Sequence, residues 1–244
     1  MNIAGGITIG GGINIVNDYV PMIVATNLIA NYDAATNISG SSFNDSSGNN
    51  RNATLFNSPS TATVNGTTVL RLASTSSQYF GYTGGYGTTL NNAFTFDVWC
   101  YSLSTGTAGS LISEWNNSTF NSGWTDNQMG FNTSNINCGV YNTGYATAKS
   151  GWTANTWYNI VMVYNGTGLA TYVNNVAGGT TTGAKQNPGG AGTYLSMGLP
   201  GTDYLGGVAN YWNGYIGAWK IYNAALNTTQ LTQNFTALRS RYGV

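Results

Sequence analysis

The stretch Thr156-Trp-Tyr-Asn-Ile-Val-Met-Val-Tyr-Asn-Gly-Thr-Gly-Leu-Ala-Thr-Tyr-Val-Asn-Asn175 decides the fold class. Trp157–Tyr164 and Gly168–Val173 read as short strands rich in β-branched and aromatic residues. Asn165-Gly166 and Asn174-Asn175 are turn signals that bracket a hairpin, because Asn and Gly tolerate positive φ. Outward from here the same rhythm of short strands punctuated by Gly, Asn and Ser covers most of the chain. It places strands at Val69–Leu72, Tyr79–Tyr82, Phe94–Tyr101, Gly109–Trp115, Gln128–Asn132, Asn137–Tyr141 and Tyr215–Tyr222. Turns at this spacing predict an all-β protein, a two-sheet antiparallel sandwich. Thr180–Gly192 reads as a mobile loop.

Composition agrees. The 244 residues include 34 Gly and only 4 Pro, with abundant Asn, Thr and Ser for turns and solvent-facing strand positions. Seventeen Tyr, 8 Phe and 7 Trp are too many for an unfolded soluble chain, and the length suits one sandwich. Charged residues are 6% of the total, seven cations against seven acids, for a net charge of zero. Nucleic-acid binding needs clustered Lys and Arg, and here they are scattered from Arg51 to Arg241, so no nucleic-acid partner is expected. Histidine is absent, which removes His triads, imidazole metal sites and His proton shuttles. Cys100 and Cys138 read as buried free thiols or as a disulfide. No basic residue precedes an apolar core at the start, so no signal peptide is expected. The most apolar stretch, Tyr19–Ala30, is broken by Pro21, Thr26 and Asn27 and is too short to insert in a membrane. These features suit a protein made in a cytoplasm, including one later released in a virus particle.

The two ends differ from the middle. Gly6-Ile7-Thr8-Ile9 is echoed by Gly12-Ile13-Asn14-Ile15, so Ile7, Ile9, Ile13 and Ile15 alternate with small polar residues as in strands. Such a pair buries little alone. It is expected either to lie on the main domain or to act as an assembly arm that pairs with another chain. Residues 1–27 are assigned to this N-terminal arm and linker, and 28–244 to the body. Near the C-terminus Asn227 and Gln230 form a capping-box pattern, with Leu226 and Leu231 as a hydrophobic staple. Leu231, Phe235 and Leu238 then share one face of a short helix.

Five segments, taken in order, carry a resemblance. Leu28-Ile-Ala-Asn-Tyr-Asp33 looks like an opening strand, followed by the turn Asn44-Asp-Ser-Ser-Gly-Asn-Asn-Arg-Asn-Ala-Thr54. Phe94-Thr-Phe-Asp-Val-Trp99, Thr156–Tyr164 with Leu169–Asn174, and Asn213-Gly-Tyr-Ile216 to Ile221-Tyr-Asn-Ala-Ala-Leu226 complete the order. Together they resemble the concanavalin A-like lectin/glucanase superfamily, specifically the laminin G-like jelly-roll domains of bacterial surface proteins and tailed-phage virion proteins. The ending Gln233–Gly243 is similar to the tails of such domains in phage structural proteins. The resemblance implies a jelly-roll sandwich, to which the residue patterns at the two ends add an N-terminal β arm and a short C-terminal helix. One departure stands out: Gly217 and Ala218 occupy positions where the family carries an acidic pair.

The chemistry is weighed against this frame. Glucanases of this fold use paired glutamates, whereas Glu114 is the only glutamate here and Asp126 the nearest acid in sequence. No enzyme activity and no cofactor are therefore expected. Asp33, Asp45, Asn49 and Asn50 could offer oxygen ligands for calcium, but the tetrapeptide favours an Asx-turn from Asp45 to Ser47 or Gly48, and no metal site is assigned. Glycan contact has a physical basis in aromatic rings set among amide and hydroxyl side chains. Trp115, Trp124 and Asp126 in one loop, and Tyr211 and Trp212 in another, are the candidate glycan-binding residues. Tyr141, Tyr145, Trp152 and Tyr204 lie close by in sequence. The expected function is that of a non-enzymatic phage virion structural protein, a capsid decoration or fibre subunit anchored through its arm. Its expected partners are other virion proteins (capsid or tail) and further copies in a homo-oligomer. The alternative is a carbohydrate-binding module that attaches the particle to host polysaccharide.

Overall fold

The described residues of the computed structural model, namely 7–9, 13–15, 22–106, 109–121, 127–141, 143–185, 193–201 and 210–244, form two large sheets and a separate two-stranded pair. The strands are β1 (Ile7–Ile9), β2 (Ile13–Ile15), β3 (Leu28–Asp33), β4 (Ile38–Ser39), β5 (Ser42–Phe43), β6 (Ala53–Phe56) and β7 (Ser60–Val64). Then follow β8 (Thr67–Leu72), β9 (Tyr79–Gly81), β10 (Phe94–Ser102), β11 (Gly109–Trp115), β12 (Asn127–Phe131) and β13 (Asn135–Val140). The last are β14 (Gly144–Ser150), β15 (Trp157–Tyr164), β16 (Gly168–Val173), β17 (Val176–Thr182), β18 (Tyr194–Met197) and β19 (Gly214–Tyr222), with helix α1 (Thr228–Tyr242). An eight-stranded sheet runs β17-β16-β15-β10-β19-β8-β7, with β3 also paired to β19. A nine-stranded sheet runs β14-β13-β12-β11-β18-β9-β6-β5-β4, and every strand pairing is antiparallel. This is the expected all-β, two-sheet antiparallel sandwich with a C-terminal helix.

The core lies between the sheets. Phe94, Phe96, Val98 and Cys100 of β10 and Tyr158, Ile160, Met162 and Tyr164 of β15 meet Phe80, Met129, Phe131, Cys138, Leu195 and Met197 in one cluster. Cys100 and Cys138 are both free, and burial pushes each thiol well above its ordinary range. β15 is buried along its whole length because its second face is covered as well. Trp99, Trp157, Val69 and Ala218 pack there under Phe235, Leu238 and Tyr242 of α1.

The helix begins as its sequence predicts. Asn227 accepts from the Gln230 backbone N–H at 3.0 Å, and the Gln230 side chain accepts from the Asn227 N–H at 3.0 Å. Leu226 and Leu231 share a cluster with Val24, Val161, Val163 and Tyr222. A buried polar network fixes the docking. Asn234 donates to Asp97 Oδ2 at 2.9 Å and accepts from the Val24 N–H at 2.8 Å, while Asn159 donates to Asp97 Oδ1 at 2.7 Å. Lys220 Nζ lies 3.6 Å from Asp97 Oδ2. Val24, ahead of β3, is thus tied to α1.

Turn chemistry explains much of the Asn content. Seven of the ten non-glycine residues with positive φ among those described are Asn, including Asn174 (φ 50°) and Asn175 (φ 64°) between the paired Val173 and Val176. One expectation is corrected here: Thr180–Thr182 is not loop but the end of β17, paired with Gly168–Ala170. Gly178 and Gly179 of β17 let it approach the backbone of Thr147 and Ala148 in β14, the edge of the other sheet. Residues 186–192 of that segment lie outside the described residues. β1 and β2 pair with each other, Ile7 opposite Ile15 and Ile9 opposite Ile13.

Candidate functional site

The outward face of the nine-stranded sheet carries a floor of small residues. Ser113 of β11 stands opposite Ser196 of β18, which stands opposite Gly81 of β9. Ser113 donates to the Leu199 carbonyl at 2.9 Å, and Trp115 Nε1 donates to Ser196 Oγ at 2.8 Å. Over this floor Trp115, Phe120 and Leu199 are buried, and half-buried Phe56, Tyr79, Tyr194 and Tyr211 surround them. Phe56 and Tyr79 are stacked, their ring centroids 4.5 Å apart and their planes 6° from parallel. Phe120 meets both edge-on at 6.0 and 6.3 Å, and Tyr211 lies 6.4 Å from Tyr79. Burial, with the Tyr211 phenol nearby, raises the Tyr79 hydroxyl above its ordinary pKa, so it remains a neutral donor and acceptor at neutral pH.

Phe120 is held in a costly conformation. Its φ is 51°, in the left-handed region that bulky side chains avoid. The ring is accommodated because Gly81 has no Cβ; one there would lie 2.6 Å from Phe120 Cζ. Exposed Asn57, Asn116 and Asn121 adjoin Phe56, Trp115 and Phe120 in the chain and supply amide groups at the border.

The residues expected to contact glycan are distributed unevenly. Tyr211 is in this cluster and bridges to Ser110. Trp115 is there too, but as the last residue of β11 and 5% exposed, so it supports the surface rather than presenting a stacking face. Trp212 is corrected outright: it is fully buried in the core between the sheets, 5.1 Å from Phe131. Adjacent extended residues face opposite ways, which separates Tyr211 from Trp212. Trp124, Asp126 and Tyr204 lie outside the described residues. Tyr145 is 53% exposed on β14, while Trp152 packs against the core and donates to the Asn132 carbonyl at 2.8 Å. Sequence reading missed Phe56, Tyr79, Phe120 and Tyr194. With Phe80 assigned inward, alternation would have turned Tyr79 outward.

Several of the described charged residues serve the framework. Glu114 pairs with Lys185 at 3.1 Å, both side chains fully buried. Asp45 accepts from the N–H groups of Asn31, Ser47 and Arg51 at 2.8–3.0 Å and from the Ser47 hydroxyl at 2.8 Å. This is the Asx-turn expected of the sequence, with two further donors. Asp33 pairs with Arg241 at 2.6 Å. No cluster of three or more metal-ligating side chains occurs among the described residues.

Comparison with known proteins places the chain in a class. The sequence pattern of the concanavalin A-like lectin/glucanases superfamily matches residues 74–232, and the chain belongs to that superfamily. No curated protein sequence matches it. Among solved structures it is similar to domain 4 of AbnA, an extracellular arabinanase from Geobacillus stearothermophilus, in complex with arabinotriose. That match has a TM-score of 0.60 and 14% identity over 86% of this chain and 98% of the other. It is also similar to the binding domain of botulinum neurotoxin DC in complex with SialylT (TM-score 0.64, 12% identity, 88% of this chain and 52% of that one). Trypanosoma rangeli sialidase in complex with sialic acid matches at TM-score 0.64 and 14% identity, over 89% of this chain and 33% of that one. The chain thus spans about half of the neurotoxin binding domain and a third of the sialidase.

Proposed function

We propose that the chain is a non-catalytic carbohydrate-binding domain that contacts glycan through the aromatic surface of Phe56, Tyr79, Tyr194 and Tyr211. The observation that carries this reading is the half-exposed Phe56–Tyr79 stack beside Tyr211, raised on a floor of Ser and Gly. Sugar rings stack their C–H faces on such planes and bond to amide and hydroxyl groups around them. The arabinotriose bound by the similar arabinanase domain supports the reading. The non-catalytic reading rests on Glu114: the single glutamate is held in a buried ion pair with Lys185 rather than offered as a catalytic carboxyl. The test is retention of the full chain on immobilised polysaccharides, with Tyr79→Ala and Tyr211→Ala expected to lose it. Release of reducing sugar, abolished by Glu114→Gln, would overturn the non-catalytic assignment.

A second reading is compatible with the first. The domain is the exposed part of a larger particle such as a phage virion, in a capsid decoration or fibre position, attached through residues 1–16. One observation favours it: among the described strands, β1 and β2 pair only with each other, and neither joins the sandwich sheets. On this reading glycan contact attaches the particle to a host surface.

A further inference from the structure

We infer that the aromatic face takes neutral glycan chains and discriminates against glycans bearing carboxylate, sulfate or phosphate groups; this rests on the carbohydrate-binding reading above. The chain carries seven cations, and all seven are in the described residues, since the remaining segments contain no Lys or Arg. Lys185 and Lys220 are buried in ion pairs with Glu114 and Asp97. Arg239 and Arg241 belong to α1, behind the eight-stranded sheet, where Arg241 holds Asp33 and Arg239 donates to the Val244 carbonyl. Arg51 donates to the Ile29 carbonyl and lies over Tyr86, and Arg71 donates to Asn213 and lies over Tyr215. Lys149 is on β14, the edge strand three strands beyond β11, beside Asn174 and Val176. None of them touches the Phe56, Tyr79, Tyr194 and Tyr211 surface.

An anionic group brought to this surface would lose water and gain no countercharge. It would also meet the negative faces of the rings, whereas the C–H groups of a neutral sugar present positive edges that match them. The polar groups at hand are phenol hydroxyls and Asn amides, which suit hydroxyl-rich neutral rings. Recognition of this kind is insensitive to ionic strength, because no charge pair is formed.

The test uses the unmodified full chain and a matched pair of probes: a polyuronate, and the same polymer with its carboxyl groups reduced to alcohols. Neutral arabinan, xylan, β-glucan and galactan, and a sialylated oligosaccharide beside its desialylated form, complete the panel. The expected result is binding of neutral members with an affinity unchanged from low to molar salt. The charged member of each pair should bind at least about tenfold more weakly, a difference of about 1.4 kcal/mol. Tyr79→Ala and Tyr211→Ala should weaken neutral binding, and Tyr145→Ala on β14 should not. Charged forms that bind as well or better, with an affinity that falls in salt, would overturn the inference while leaving the carbohydrate reading standing. Failure of every polymer, neutral and charged, would overturn the carbohydrate reading itself. Neutral binding unaffected by both tyrosine changes would remove the site from this face and overturn both.

Discussion

The ring of Tyr242 occupies the space that a side chain at Gly217 would fill. A Cβ built on Gly217 would overlap the Tyr242 ring, lying 2.6 Å from its Cζ. The same tyrosine stacks on Trp99 at 4.5 Å and approaches Trp157 at 4.4 Å. The acidic position lost from the family pattern is thus a seat for the end of the helix.

Gly217→Ala should therefore overpack a filled site and cost about 1–3 kcal/mol. Thermal melting would report it as a fall of roughly 2–4 °C per kcal/mol for a chain of this size. Combining it with Tyr242→Leu should cost less than the sum of the two, because they compete for one volume. Strict additivity would contradict the packing described.

The tryptophans separate into framework roles. Trp157→Ala and Trp212→Ala should each cost about 3–5 kcal/mol, enough to give insoluble or poorly packed protein. Trp115→Ala loses both burial and its bond to Ser196, so it too should destabilise measurably in a denaturant titration. A Trp212→Ala variant melting like the parent would mean that its ring lies outside the core.

Stability should fall in alkali. Burial raises the hydroxyls of Tyr32, Tyr79, Tyr86, Tyr222 and Tyr242 above the ordinary value of 10.0. Above about pH 10 the unfolded chain gives up these protons while the folded chain keeps them. The unfolded state then binds fewer protons, so the stabilisation, complete below pH 10, is lost progressively above it. Tyrosine ionisation followed by absorbance should coincide with loss of near-ultraviolet circular dichroism. Reversible titration of all the tyrosines near pH 10 with the fold intact would contradict this.

Glu114→Ala should destabilise by about 3–5 kcal/mol, since it removes one member of a fully buried ion pair. Replacing both Glu114 and Lys185 with apolar residues of similar volume should recover much of that loss, as equilibrium unfolding would show.

Deleting residues 1–16 should leave the melting of the remaining body within a few degrees, because Val24 and β3 carry the contacts that tie the start of the body to α1 and β19. Mass measurement beside the full chain tests the arm: loss of higher-order species on deletion supports an assembly role. A monomeric full chain that unfolds on deletion would instead make the hairpin an ordinary part of the domain.

Legibility in the sequence followed burial. Gly109–Trp115, Trp157–Tyr164 and Gly168–Val173 are strands with the bounds read from their residues, because two neighbours and apolar contact impose a clear pattern. Three strands that went unread, Ser60–Val64, Gly144–Ser150 and Val176–Thr182, are edges with one sheet neighbour and mixed exposure. Their Ser, Thr and Gly look like loop. Tyr194–Met197, between β11 and β9, went unread because it is only four residues long. The site was half legible for a related reason: an aromatic ring among Asn and Ser signals a surface, yet Trp212 shows that neighbouring rings on one strand-like segment face opposite ways. Phe120 was invisible, since nothing in Asn117-Ser-Thr-Phe120 predicts a left-handed aromatic seated over a distant glycine.

The pairing of β3 with β19 has a consequence for synthesis on the ribosome. Leu28–Asp33 emerges early, but its partner, Gly214–Tyr222, follows roughly 180 residues later, a wait of about 10–40 s at 5–20 residues per second. Until then β10 has only β15 beside it, and β8 has only β7. A nascent chain halted just before β19 therefore carries β3 with no partner, and β10 and β8 each with one edge open. Prematurely terminated products should accumulate as chaperone-bound or aggregated material rather than as a smaller folded domain.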